Sequence, residues 1–170
     1  MRRSLSALAA MTVLITACGN SGQLDLPPVT QKLAVSLGDQ KFTLIDGVAE
    51  EPAAPGSGTG EIVRAVGDPL IGGDITGDDK PEAALLLTDD PGGSGTFYYA
   101  VLALSGTDSW RATNALPLGD RIEPQGIDFA DGHFVYRFLE RRPGEAMSEP
   151  PSVPRSVVIG FDKSTERISD

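Results

Sequence analysis

Nine residues near the middle of the chain, Asp74-Ile75-Thr76-Gly77-Asp78-Asp79-Lys80-Pro81-Glu82, carry oxygen-bearing side chains at relative positions 1, 3, 5 and 9. The residue at position 7, Lys80, can offer its backbone carbonyl. A hard cation such as calcium takes six to eight oxygens at about 2.4 Å, and a tight turn whose alternate side chains converge can supply them. Asp74, Thr76, Asp78, Lys80 and Glu82 are therefore a candidate calcium set, and an ion held this way would be structural rather than catalytic. The same residues have a second use that needs no ion. Aspartates in turns accept hydrogen bonds from nearby backbone N–H groups, so Asp74 and Asp78 could simply cap a turn between two strands.

The spacing resembles the DxDxDGxxD calcium loops of integrin-type and dockerin-type repeats. Two departures stand out. Position 3 is Thr76, a weaker ligand than aspartate, and position 6 is Asp79, where such loops place a glycine in a left-handed backbone conformation. Position 12 is Leu85, so the stretch is not a helical EF-hand loop.

Other chemistries are poorly supplied. The single histidine, His133, directly follows an Asp131-Gly132 turn, where a side chain faces solvent more often than it serves as a base. With one Cys and one His, zinc or iron sites built on several such ligands are excluded. Carboxylate-pair hydrolysis of an envelope glycan stays open if Asp78, Glu82, Asp89 and Asp90 converge at one end of a sheet. The run Gly92-Gly93-Ser94-Gly95 lacks a following Lys-Ser/Thr and leads into a strand, so it is no phosphate cradle. Arg137, Arg141 and Arg142 could grip an anion, or could pair with Glu140 and Glu145. No catalytic residue is assigned and no cofactor is required beyond the calcium option.

The N-terminus speaks of location. Arg2 and Arg3 precede an apolar segment, Leu5 to Ile15, which is too short to span a bilayer core of about 30 Å. Residues 1–17 therefore read as a helical export signal. Ile15-Thr16-Ala17-Cys18 resembles the lipobox of bacterial lipoproteins. That resemblance implies cleavage before Cys18, acylation of its thiol, and a lipid bilayer as partner through the acylated Cys18. No Asp follows Cys18, which in Gram-negative lipoproteins leans toward the outer membrane, facing the periplasm. Residues 18–30, with Pro27-Pro28, read as a tether.

Residues 31–170 have room for one domain. Twenty Gly and 13 Pro favour a turn-rich, strand-rich architecture. Without Arg2 and Arg3 the chain has 12 basic against 24 acidic side chains, a sign that disfavours a nucleic-acid partner. Alternation places strands at Leu33–Leu37, Phe42–Ile45 and Ile62–Val66, the last continuing through Pro69 to Ile75 after a turn or bulge at Gly67-Asp68. Glu50 to Gly60 reads as an exposed loop. Ala83–Thr88 and Thr96–Leu104 are apolar on both faces and predict the central strand pair. Single strands are predicted over Trp110–Leu118, Arg121–Ala130 and Val153–Phe161, with one face of Phe134, Tyr136 and Phe138 and a closing strand near Glu166–Ser169. The fold class is all-β, mainly an antiparallel meander forming a curled sheet, barrel or sandwich.

The segments GGDITGDDKPEAALLL, GGSGTFYYAVLAL and LGDRI resemble a recurrent domain of uncharacterised bacterial envelope lipoproteins, over about Phe42 to Phe161. The resemblance implies one domain in an envelope setting and no activity. The sequence thus points to a membrane-anchored envelope lipoprotein that binds an envelope protein or ligand or plays a structural part. A glycan hydrolase and a calcium-binding module are the alternatives.

Overall fold

A computed structural model of the chain describes residues 27–52 and 59–170. The export signal, Cys18 and most of the tether lie outside the described residues. Within them the protein is all-β, as the alternation and turn chemistry predict. Strands β1 (Lys32–Leu37), β2 (Gln40–Ile45), β3 (Val48–Pro52), β4 (Gly60–Ile71), β5 (Ala83–Asp90), β6 (Phe97–Ser105) and β7 (Trp110–Ala112) pair in sequence order. They form an antiparallel sheet that curls into a nearly closed barrel, bringing β7 back toward β1. Trp110 on β7 fastens the seam by donating its indole N–H to the Pro27 carbonyl at 2.8 Å. Val29 is 2% exposed, so packing begins a few residues upstream of the boundary expected at residue 31.

β5 and β6 explain the rest. Successive side chains on a strand point to opposite faces, and here both faces are buried. Ala83, Leu85 and Leu87 join Val101, Ala103 and the β1–β2 residues Leu33, Val35, Phe42 and Leu44 inside the barrel. Ala84 and Leu86 join Ala100, Leu102 and Leu104 on the outside, where a second core forms. That second core is closed by a three-stranded sheet of β9 (Glu123–Ala130), β10 (His133–Glu140) and β11 (Val153–Val158). Phe134, Tyr136 and Phe138 on β10 are its main contribution, each at most 2% exposed. Tyr136 cannot bury its hydroxyl unpaired; it reaches the carbonyls of the opposed residues Leu85 and Val101 at 2.9 and 3.1 Å. One tyrosine therefore locks the small sheet onto the centre of the barrel wall.

Several expectations are corrected. Trp110–Leu118 is not one strand. β7 and β8 (Leu116–Asp120) both pair with β6, and the chain leaves the sheet between them. At the break, the Thr113 hydroxyl accepts the Leu102 N–H at 3.1 Å and so stands in for a missing backbone partner. Asn114 bulges out and pairs by its side-chain amide with Ile168, donating to the Ile168 carbonyl at 3.0 Å and accepting the Ile168 N–H at 2.7 Å. It thereby holds the terminal hairpin of β12 (Gly160–Asp162) and β13 (Arg167–Ser169). The strand expected over Val153–Phe161 divides at Ile159. The strand expected from Arg121 starts at Glu123, because Arg121 sits in a left-handed turn, φ 47°. Glu50–Pro52 are not loop but part of β3, with Glu51 opposite Glu61. Of the turn or bulge expected at Gly67-Asp68, the structure has a bulge, between Val66 and Leu70, and the strand ends at Ile71 rather than Ile75.

Candidate metal centre

The acidic loop is an excursion between β4 and β5. Its neck is closed by two backbone hydrogen bonds, Gly72 N–H to the Glu82 carbonyl and Glu82 N–H to the Gly73 carbonyl, both at 3.0 Å. Gly73 is required there. Its φ is +82°, and the ring of Phe129 from β9 lies where a side chain would start. Phe129 is itself held edge-on by Phe134, ring centroids 4.8 Å apart. The second sheet thus fixes the base of the loop.

Beyond the neck the loop closes on its own carboxylates. Asp74 accepts the backbone N–H groups of Gly77, of Asp78 at 3.1 Å and of Asp79 at 2.8 Å. Asp78 accepts the Lys80 N–H at 3.1 Å, which is how Lys80 enters the loop. Asp79 adopts the left-handed conformation expected at its position, φ 65°. Glu82, 1% exposed, accepts the Ile75 N–H at 2.9 Å. The Thr76 hydroxyl lies in the middle, 3.2 Å from Asp74 Oδ1, 3.0 Å from Asp78 Oδ1 and 3.3 Å from Glu82 Oε1. A hydroxyl has one proton, so two of these three acceptors are left facing oxygen.

Carboxylate oxygens of Asp74, Asp78 and Glu82 all lie within 4.8 Å of one another. The loop therefore does both things the sequence suggested: it caps backbone N–H groups, and it brings three carboxylates together. The charges respond differently. Burial would raise the Asp74 carboxyl, but the N–H groups of Asp79, Gly77 and Asp78 together outweigh it and hold the carboxyl below its usual range. Glu82 is pushed up by burial, with the charges of Asp78 and Asp74 adding to the effect. A cation among these oxygens would reverse that repulsion. The donor set suits a hard ion: three carboxylates and a hydroxyl, with no nitrogen or sulfur.

A cavity of about 220 Å³ opens beside the loop, lined among others by Thr76, Asp78, Glu82, Ser105, Phe161 and Lys163. The Lys163 ammonium, from the β12–β13 turn, lies over Gly77. Arg111 in the same wall is taken up by Glu166.

The carboxylates proposed for hydrolysis are not brought together. Glu82 precedes β5, whereas Asp89 and Asp90 end it, so the first six of the strand's eight residues, Ala83–Thr88, stand between them. At about 3.3 Å per residue that is a separation on the order of 20 Å. Asp90 caps its own turn through the Gly92 N–H at 3.0 Å. His133 is exposed, with its ring Nδ1 3.2 Å from the Ile159 carbonyl. The arginines disperse: Arg137 pairs with Asp128, Arg142 with Glu145 at 3.5 Å, and Arg141 bonds the carbonyls of Glu149 and Arg121. Glu140 pairs instead with Arg155.

A second carboxyl cluster went unrecognised in the sequence. Asp89, 8% exposed, turns into the barrel next to Glu61 of β4, 5% exposed. Gln40 donates to Glu61 at 3.2 Å, while Asp89 Oδ1 is shut off from water without a donor. Burial, then the Glu61 charge and the shared hydrogen bond with it, push the Asp89 carboxyl up to about 6. Burial and the same two carboxyls raise the Tyr99 hydroxyl. Parity along β5 was the available signal: Asp89 falls on the same face as Ala83, Leu85 and Leu87.

Comparison with protein-family models, with curated proteins and with solved structures gave no match.

Proposed function

We propose that this chain is a lipid-anchored protein of the bacterial cell envelope, and that its β-barrel domain is a binding or structural module steadied by one calcium ion in the Asp74–Glu82 loop. The observation that carries the domain-level reading is the convergence of the Asp74, Asp78 and Glu82 carboxylates around the Thr76 hydroxyl. Bound there, the ion offsets the repulsion among the three converging carboxylates. Asp74 and Asp78 would hold it from the exposed side and Glu82 from the buried side, tying the loop to the start of β5. The role is structural: the carboxylates that would hold the ion also accept the loop's own backbone N–H groups and so fix its shape.

Support for the anchor is in the sequence: Arg2 and Arg3, the apolar run to Ile15, and Thr16-Ala17 before the chain's one cysteine, Cys18. Acyl chains on Cys18, at about 0.8 kcal/mol per buried methylene, hold a folded domain at a membrane without a transmembrane helix. With no Asp after Cys18, the reading favours the outer membrane, facing the periplasm, in a cell that has one. The partner is an envelope protein or ligand. Cys18→Ser separates anchor from domain: the variant moves to the soluble fraction, still folded. Retention of Cys18→Ser in the membrane fraction would remove the lipoprotein reading and leave the calcium reading standing.

A further inference from the structure

The barrel is not closed equally all the way round. β2 and β3 pair only at Ile45 and Val48, beside their turn, although both strands run on past it. On the other side, no backbone ladder joins β1 to β7 among the described residues. Where β7 ends, a cavity of about 380 Å³ lies beside Ser36 and Gly38, lined also by Thr113, Asn114 and Ala115. The β1–β2 hairpin thus has two long edges with almost no backbone pairing. Its base is fastened. The N–H groups of Asp46 and Gly47 bond the carbonyls of Gln31 and Thr30 at 3.1 and 2.8 Å, and the Gly47 carbonyl accepts the Ala65 N–H at 2.8 Å.

At the other end of the hairpin, one side chain crosses the open edge. Gln40, the first residue of β2, bonds not β3 but Glu61 of β4, to which it donates at 3.2 Å. Glu61 adjoins Asp89 of β5, whose Oδ1 is shut off from water without a donor. No positive charge faces this pair among the described residues. β3 brings Glu51, directly opposite Glu61, β5 brings Asp90, and β6 brings the Tyr99 hydroxyl. β1 ends in Leu37, with the exposed Asp39 in the turn beyond it. Lys41 alternates to the outer face of β2, opposite in direction to Gln40 and Phe42. Behind this polar layer the hairpin covers the inner core with Val35, Leu37, Phe42 and Leu44, each buried.

We propose that the β1–β2 hairpin is a flap on the barrel, hinged at Thr30, Gln31, Asp46 and Gly47 and latched at its tip by a proton shared in the Gln40–Glu61–Asp89 layer. With the proton in place, Asp89 donates to Glu61, which also accepts from Gln40, and flap and wall are joined. Without it, two adjacent carboxylates face each other with one oxygen unserved, and lifting the tip brings water to both. Burial and the Glu61 charge push the Asp89 carboxyl up from 3.8 to about 6. The latch is therefore complete below the lower value and is lost as pH rises through the higher one. The flap moves as a unit, because the β1–β2 ladder pairs every residue from Lys32 to Leu37 with one from Ile45 to Gln40. The device does not depend on the calcium reading.

Thiol accessibility in the soluble Cys18→Ser chain tests this, because Cys18 is the one cysteine present. Val35→Cys puts a thiol on the inner face of the flap, and Val157→Cys puts one in the second core. Each is reacted with a dipyridyl disulfide, which works at acid pH, and the rate is divided by that of a free thiol at the same pH. Val35→Cys reacts roughly tenfold or more faster than Val157→Cys, since the flap opens without the whole domain. Its corrected rate rises roughly twentyfold between about pH 4.5 and about pH 7.5. Adding Asp89→Asn holds it at the acid rate throughout. Ala49→Cys, on β3 across the open edge, gives the same pattern and serves if Val35→Cys does not fold. Equal rates for the flap and second-core thiols, a corrected rate indifferent to pH, or a pH dependence that survives Asp89→Asn would each overturn the proposal.

Discussion

Two groups of carboxyls sit on this domain, and their surroundings treat them in opposite ways. In the loop between β4 and β5, Asp74 is met by three backbone N–H groups and stays ionised below the usual carboxylate range. Inside the barrel, Asp89 meets Glu61 and no donor for its Oδ1, and its carboxyl rises to about 6. The difference lies in the backbone. A tight turn leaves N–H groups unpaired and aims them at whatever the first aspartate offers, whereas a strand has already given its N–H groups to its neighbours. A turn can therefore gather charge and keep it. A strand interior that receives a carboxylate must find it a proton or a side-chain donor. Hence the loop is the place for a cation and the barrel pair is the place for a shared proton.

Calcium should separate the two groups most sharply. At a free concentration one hundred times its dissociation constant, the ion stabilises the fold by about 2.7 kcal/mol. For a domain of this size that is a rise of roughly 5–10 °C in the melting temperature between EDTA and calcium. Glu82→Gln, which replaces the buried ligand, loses the rise, and Asp89→Asn keeps it. An unchanged melting temperature for the native domain would reduce the loop to a hydrogen-bonded turn. A rise lost in Asp89→Asn but kept in Glu82→Gln would move the metal site into the barrel.

The next largest effect belongs to Asp89 alone. Its folded-state carboxyl titrates near 6 against an ordinary value of 3.8. Between those values the folded protein holds a proton that the unfolded chain has released, so this group's contribution to stability falls as pH rises from about 4 to about 6 and is level above. Asp74 contributes with the opposite sign: its stabilisation is present above the usual carboxylate range and is lost as pH falls through its lowered folded value. Asp89→Asn imitates the protonated form and can donate to Glu61. It raises stability at pH 7 by on the order of 2 kcal/mol, with the gain vanishing near pH 4. Urea unfolding of both proteins at the two pH values measures it. A gain that is equal at both would mean that the pair does not share a proton.

The loop was legible because its signal is local. Spacing alone marked Asp74, Thr76, Asp78 and Glu82, and Gly67-Asp68 marked an irregularity that proved to be a bulge. The two central strands were legible from length and apolarity, and the Asp131-Gly132 turn from its dipeptide, both residues of which have positive φ. What stayed hidden depends on partners distant in sequence. Asp89 looked like turn because Asp-Asp-Pro-Gly is a turn composition, and only the partner strand β4 makes it interior. The break at Thr113–Ala115 has no local mark; Thr113 leaves the sheet because its hydroxyl can serve Leu102, and Asn114 because Ile168 lies 54 residues away to receive it. The register slip of β9 opposite Arg137 and Phe138 appears only once β10 is laid beside it.

The smallest effect is the most specific to the loop. The Thr76 hydroxyl can give its proton to only one of three carboxylates, so in EDTA its loss in Thr76→Val should cost about 0.5–1 kcal/mol, the worth of one hydrogen bond. In calcium the same oxygen is a ligand, and a valine at position 3 removes it from the coordination shell. The cost should then be larger in calcium than in EDTA, read as a smaller calcium-induced rise in melting temperature for Thr76→Val than for the native domain. Equal costs in the two conditions would mean that the ion, if it binds, is held by the three carboxylates without the hydroxyl. A substitution that is neutral in both would mean that the carboxylates repel less than their spacing implies, and the contrast with Asp89 would rest on the backbone N–H groups alone.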